Sequence, residues 1–311
     1  MGKDKIIVTS YISPDLDGVS AMYGYSEYLN KKSQVTEYYI NGSPKKEVDI
    51  VSEIFNIKLN ISDNKIHKDN QIVLVDTNDI NSLPKDVIFE NVTEVLDHHI
   101  KSDNVEKFIN AKIHIELIGA VATLIAEKFF NENIPISRES TILLYYGIVS
   151  NTINFEAEIT SQKDIDMANW LKAQYSNDIT DEKIREIFTK KSNISGYLKN
   201  EMEADIKIAT GEKNTTIAQL ELVDVDKFIN DNIDEIKEIL NGIKQDQKLD
   251  FIFLNCIDIL NGYNMLVSID NESEKLIEDI LNIKCENGIG KTEKIVMRKQ
   301  IIPLIKSKYG G

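Results

Sequence analysis

Short apolar runs alternate with amphipathic stretches through the first half of the chain. Ile6–Ser10 (IIVTS) has the β-branched character of a buried strand, and a polar turn, Pro14–Gly18, separates it from a helical pattern over about Val19–Asn30. Glu37–Ile40 reads as a strand and Val48–Phe55 as a helix. Ile72–Val75 (IVLV) is a second buried strand that stops at Asp76, and Val92–Leu96 is another that stops at Asp97-His98-His99. Helices are expected at about Gly119–Phe130 and Glu139–Ser150. This alternation predicts an α/β fold, with an N-terminal parallel sheet carrying helices on both faces.

Helical periodicity continues over Ile165–Leu171 and Asp181–Phe188, then gives way to a polar stretch (TKKSN) with no clear period. A boundary there divides the chain into residues 1–188, a linker at 189–193, and residues 194–311. The second part is expected to be a smaller, mixed-sheet α/β domain. Its strands lie at Asp205–Ala209, Thr216–Leu222, Phe251–Leu254 and Met265–Val267, and its helices at about Val225–Leu240 and Glu272–Leu281. Arg298-Lys299-Gln300-Ile301-Ile302-Pro303 reads as an exposed strand edge, on which Arg298 and Lys299 point to opposite faces.

Composition adds constraints. A length of 311 residues calls for more than one core. The net charge of −15, from 36 basic and 51 acidic residues, repels nucleic acid at long range, so no nucleic-acid partner is expected. An anionic substrate must then be held by local positive charge. No apolar run is long enough to span a bilayer, and the N-terminus reads as a strand rather than a signal peptide, so no membrane association is expected. Cys256 and Cys285 are far apart without metal-ligand spacing, which points to a reducing, cytoplasmic setting.

Ligands of open parallel sheets lie beyond the carboxyl ends of the strands. Three acidic clusters fall at such ends: Asp15 with Asp17, Asp76, and Asp97 with its two histidines. Each has a plainer reading alone, as a helix cap, a turn residue or a surface pair. At one sheet edge together they make a divalent-metal site, in which a carboxylate beside an imidazole can orient it. His67 and His114 lie outside this pattern.

In this order the chain resembles the DHH phosphoesterase superfamily. The match runs through Pro14-Asp15-Leu16-Asp17, Asp76 after its hydrophobic strand, Asp97-His98-His99 and Ser150-Asn151-Thr152, then Asp205-Ile206-Lys207 and the basic stretch from Arg298. Within the superfamily it looks like the family II, manganese-dependent, inorganic pyrophosphatases and exopolyphosphatases, with a DHHA2-type C-terminal domain. The resemblance implies a metal-dependent phosphohydrolase that cleaves a phosphoanhydride or phosphoester bond of a small phosphorylated substrate. Carried over position by position, it implies that Asp15 and Asp17 each ligate one metal, Asp76 bridges both and His98 is a further ligand. His99 would contact the substrate, with Asp76, His98 and His99 as the catalytic group. Lys207 and Arg298 or Lys299 would hold phosphate oxygens. Mn²⁺ is the implied ion, with Mg²⁺ or Co²⁺ as alternatives. A homodimer through the edge of the N-terminal sheet is also implied.

Two positions depart from the pyrophosphatase pattern: Tyr11 stands in place of a His and Asn151 in place of an Asp. A neutral phenol is a poor ligand, and an amide oxygen brings no charge. Tyr11 and Asn151 are therefore the weakest members of the expected ligand set. They motivate an alternative function, a relative that binds or senses a phosphorylated ligand without cleaving it efficiently.

Overall fold

The computed structural model describes residues 5–59, 66–194, 196–204, 206–209 and 213–309. The chain divides into two compact units, one of Met1–Phe155 with Ile159–Ile187, the other of Glu156–Glu158 with Phe188–Gly311.

The first unit runs β1 (Ile6–Thr9), α1 (Leu16–Lys31), β2 (Thr36–Tyr39), α2 (Lys46–Phe55), β3 (Gln71–Val75), β4 (Val92–Asp97), β5 (Lys112–Ile115), α3 (Val121–Asn131), α4 (Arg138–Asn151), α5 (Gln162–Gln174) and the start of α6 (Asp181–Ser192). Its sheet has the order β2-β1-β3-β4-β5, with every pair parallel. The strand order reverses at β1, whose neighbours on its two sides lead away in opposite directions. The crevice beyond the ends of β1 and β3 is thus the topological switch point where such sheets bind ligands. One face of the sheet packs Ile7, Ile72, Leu74, Val92 and Val95 against Val105 and Phe108. Helices α1, α3 and α4 pack on one another, and α1 is buried at twelve of its sixteen positions. A helix this enclosed loses the polar stripe of a surface helix, which explains why its apolar pattern is diffuse.

The second unit continues with α7 (Leu198–Ala204), β6 (Ile206–Ala209), β7 (Thr215–Leu222), α8 (Val225–Gln247), β8 (Phe251–Asp258), β9 (Tyr263–Ser268), α9 (Asn271–Leu281), β10 (Cys285–Glu286), β11 (Ile289–Lys291) and α10 (Arg298–Tyr309). The sheet order is β10-β11-β9-β8-β7-β6, with only β7 and β8 parallel. Alternation along β8 splits the core in two. Ile252, Leu254 and Cys256 pack with Ile229, Ile236, Leu240 and Ile243 of α8, whereas Phe251 and Phe253 pack with Leu276, Ile277, Ile301 and Ile305 of α9 and α10.

The α/β class and the mixed second sheet are as the sequence predicts. Three elements differ. The polar TKKS stretch forms the last residues of α6, where Lys190 and Lys191 sit favourably at a helix C-terminus. The short strand β5 (KIHI) lacks an apolar run because it is the sheet's outer strand and half exposed. Arg298–Pro303 is not a strand edge but the first half of helix α10, so Arg298 and Lys299 lie about 100° apart around a helix instead of on opposite faces. Apolar residues at 301 and 305 face the core at helical spacing, the period that decides between the two readings. Asp205, expected to open β6, lies outside the described residues. No helix among the described residues is long and apolar enough to cross a membrane.

Candidate metal centre

Residues at the carboxyl ends of β1, β3 and β4 supply the site. Asp15 caps α1, accepting the Gly18 N–H at 3.1 Å. Asp17 is not in a turn, as its Pro-Asp-x-Asp setting suggests, but in the first turn of α1 and 1% exposed. Its two oxygens accept the backbone N–H groups of Val121 and Ala122, both at 2.8 Å, so a carboxylate of one helix caps the N-terminus of another, α3.

Asp76 follows β3 in a left-handed conformation, φ 61°, which short polar side chains tolerate best. A Cβ at Gly18 would come within 3.0 Å of its Oδ2, so glycine lets the α1 backbone approach the site closely. The Oδ1 of Asp76 is buried and has no hydrogen-bond partner among the described residues. It lies 3.3 Å from His98 Nε2 and 3.8 Å from His99 Nδ1.

His98 is fixed in one tautomer. Its Nδ1 faces the Ile118 carbonyl at 3.0 Å, an oxygen that can only accept, so Nδ1 carries the proton and Nε2 offers its lone pair to the site. Asp97 orients the triplet without presenting an oxygen to the metal position. Its Oδ1 accepts the backbone N–H of His98 (2.7 Å) and of His99 (3.2 Å) and the His99 Nδ1–H (2.9 Å), and its Oδ2 accepts from Asn78. Burial opposes ionisation of Asp97, but these donors outweigh it and hold the carboxyl below its ordinary range. His99 shifts the other way: desolvation disfavours the imidazolium, yet the Asp97 hydrogen bond and the Asp76 charge keep it above its ordinary value.

Burial raises the carboxyls of Asp15, Asp17 and Asp76; Glu47 adds to this at Asp15, Asp15 at Asp17, and Asp17 with Asp15 at Asp76. Crowded buried carboxylates of this kind, one with an orphaned oxygen beside an imidazole lone pair, are balanced by a cation. Asp76, His98 and His99 bring one ligand atom each to within 4.8 Å of the others. The donor set, carboxylate oxygen and imidazole nitrogen, fits Mn²⁺ and similar divalent ions.

The two departing positions are placed in the same centre. Tyr11 accepts the Asp15 N–H at 3.0 Å, and burial, with the charges of Asp15 and Asp76, raises its phenol so that it stays neutral. Asn151 presents its amide nitrogen rather than the oxygen expected of a ligand: Nδ2 lies 2.8 Å from Gly119 O, 3.2 Å from Asp17 Oδ2 and 3.3 Å from His98 Nε2. Beside Asp76 and His99 a cavity of about 650 Å³ opens, lined also by Thr77, Ser82, Lys101 and Ser102.

Residues 5–148 match the DHH family, N-terminal domain, and residues 185–308 match the DHHA2 domain. The chain thus matches a DHH-family N-terminal domain followed by a DHHA2 domain. It is 25% identical, over 97% of its length and 98% of the relative's, to the "Manganese-dependent inorganic pyrophosphatase" of Bacillus subtilis. It is 26% identical, over 98% and 99% of the two chains, to the "Probable manganese-dependent inorganic pyrophosphatase" of Streptococcus thermophilus. Its fold is similar to the crystal structure of a Methanococcus jannaschii "putative family II inorganic pyrophosphatase", with a TM-score of 0.69 at 21% identity, covering 98% of this chain and all of the other.

In the second unit, Lys299 is exposed and within electrostatic reach of Lys207 and Glu158. Arg298 is buried, with its backbone N–H donated to Gln219 Oε1 at 3.0 Å. Sequence reasoning missed the supports of both units. Glu47, buried on α2, accepts from Leu16 N (3.1 Å) and Ser150 Oγ (2.6 Å), joining the start of α1 to the end of α4. Asn264 accepts the Val296 N–H (3.0 Å) and donates to Asn255 Oδ1 (2.6 Å) and Val296 O (2.7 Å), which fixes the segment leading into Arg298. Isolated polar residues in apolar runs carry no pattern that marks them; NCID around Asn255 offers only the oddity of an amide inside a core strand.

Proposed function

We propose that the protein is a metal-dependent phosphohydrolase acting on pyrophosphate, short polyphosphate or a related small phosphorylated substrate, with Mn²⁺ as its ion and Mg²⁺ or Co²⁺ as substitutes. The observation that carries this is the buried, unpartnered Asp76 Oδ1 facing the Nε2 lone pair of His98 at a sheet's topological switch point. The names of the full-length relatives support the same reading. Asp76 and His98, with Asp15 and Asp17 beside them, would hold the divalent cation, which would supply Lewis acidity at a phosphoryl oxygen and acidify water. The chain does the rest. Asp97 keeps the proton of His99 on Nδ1, which leaves Nε2 to engage a phosphate or leaving-group oxygen. Lys207, Arg298 and Lys299 are proposed to bind phosphate oxygens, offsetting the substrate's charge.

The substrate is expected to reach the enzyme in the cytoplasm, and the outer edge of β5, with Ile109, Ile113 and Leu117 exposed around it, is the proposed homodimer surface. Phosphate release from pyrophosphate, tripolyphosphate and nucleotides, assayed with Mn²⁺, Mg²⁺ and Co²⁺ in turn, tests the activity. No turnover with any pairing, while calorimetry still shows pyrophosphate binding, would transfer support to the binding-only reading that Asn151 and the neutral Tyr11 favour.

A further inference from the structure

The surroundings of Asn151 decide how many cations the centre takes. Its Nδ2 meets three groups that can only accept: a backbone carbonyl, a carboxylate oxygen and an imidazole nitrogen whose ring proton is already committed to Ile118. The amide oxygen cannot replace the nitrogen there, because it would face three lone pairs. Two N–H bonds serve three acceptors. Gly119 O, the nearest at 2.8 Å, takes one, and the second is shared between Asp17 Oδ2 at 3.2 Å and His98 Nε2 at 3.3 Å. Asp17 then has three donors, Val121 and Asn151 on Oδ2 and Ala122 on Oδ1, before any cation is present. Asp76 Oδ1 has no hydrogen-bond partner among the described residues.

We infer that the carboxamide of Asn151 takes up Asp17 in place of a second cation, so that the centre takes a single divalent ion on Asp76 and His98. The inference rests on the proposal that this ligand set binds a divalent metal. Loading that ion requires only that the shared hydrogen go wholly to Asp17, which frees the Nε2 lone pair. A neutral amide donor satisfies the carboxylate without bringing a second ion's charge. The polarisation that a metal pair supplies from both sides of a reacting oxygen is here supplied from one side, and His99 becomes the second positive group at the substrate.

Mn²⁺ binding to the full chain, read by calorimetry and by electron paramagnetic resonance, tests this without any turnover. The wild type is expected to bind one Mn²⁺ per chain and give the six-line spectrum of an isolated ion. Asn151→Asp is expected to bind two and to show the exchange-coupled spectrum of a close pair. Two coupled ions in the wild type overturn the inference, and so does a single ion in a folded Asn151→Asp. Should that variant not fold, the wild-type stoichiometry decides by itself. Failure of every phosphatase assay leaves the stoichiometry standing, whereas absence of any bound Mn²⁺ removes both.

Discussion

Asp97 and His99, first and last of one tripeptide, are joined side chain to side chain by a 2.9 Å hydrogen bond from Nδ1 to Oδ1. The same carboxylate oxygen gathers the two backbone N–H groups between them. Asp97 is thus a positioning residue for His99, and replacing it by Asn changes the imidazole's partner while leaving Asp76 and His98 in place. Asp97→Asn is expected to lower phosphate release about 10–100-fold. The His99 imidazolium, no longer favoured by the carboxylate, will titrate lower, moving the alkaline limb of the pH–rate profile toward acid. A loss of rate with an unmoved profile would show that Asp97 only holds the loop.

Asp17 separates the needs of the fold from those of the metal. Asn keeps one of the two acceptor oxygens, whereas Ala leaves the N–H groups of both Val121 and Ala122 unpaired inside the protein. Asp17→Ala should cost about 1–3 kcal/mol in urea unfolding, and Asp17→Asn less, because one of the two N–H groups keeps its acceptor. Both should weaken Mn²⁺ binding. Equal stability of the two variants would disprove the cap.

The strand-end carboxylates and the His pair were legible because a buried strand leaves a strong signal and its end fixes where the next polar residue points. Asp76, Asp97 and His98 follow from that rule directly. The direction of Asn151's amide does not, since sequence names the residue and only its three acceptors orient it. Nor was α10 readable: Ile301, Ile302 and Ile305 suit a strand or a helix until Ile301 and Ile305 are seen packed on Leu276 and Ile277. Pro303 added to the misreading, because at the sixth position of the helix it lacks the N–H that would bond the carbonyl four residues back. Glu47 and Asn264 were invisible for a different reason, being single partners whose meaning lies in groups far along the chain.

Asn264 offers a test within the second unit. Asn264→Ala leaves the Val296 N–H and the Asn255 side chain without their buried partner, and is expected to destabilise the protein by about 2–3 kcal/mol. By loosening the segment before Arg298 it should raise KM for substrate more than it lowers kcat. An unchanged KM in a folded variant would mean that Arg298 and Lys299 are held by α10 alone.

Glu27 gives an acid-stability prediction far from the chemistry. It accepts from Ser137 N (2.9 Å), the Ser137 and Ser140 hydroxyls and Lys31 (3.0 Å), at the start of α4. Burial alone would raise its carboxyl, but these donors outweigh it and lower it below 4.5. The folded state therefore holds its proton less tightly than the unfolded chain. The stabilisation is complete above the unfolded value and disappears as pH falls through the lower, folded one. The melting-temperature gap between wild type and Glu27→Gln should be constant near neutrality and shrink as the solution is acidified below 4.5. A gap that stays constant into strong acid would assign the effect to packing.

The pair of oxygens on Asp17 that begins α3 also borders the proposed metal centre, with Oδ2 3.6 Å from His98 Nε2. Architecture and chemistry are inherited there through one side chain. A descendant that abandoned catalysis would still be selected to keep this acid, because a helix depends on it. The aspartate would then outlast the reaction as a fossil, and it is the residue at 151, with no helix to start, that is free to record whether the reaction changed.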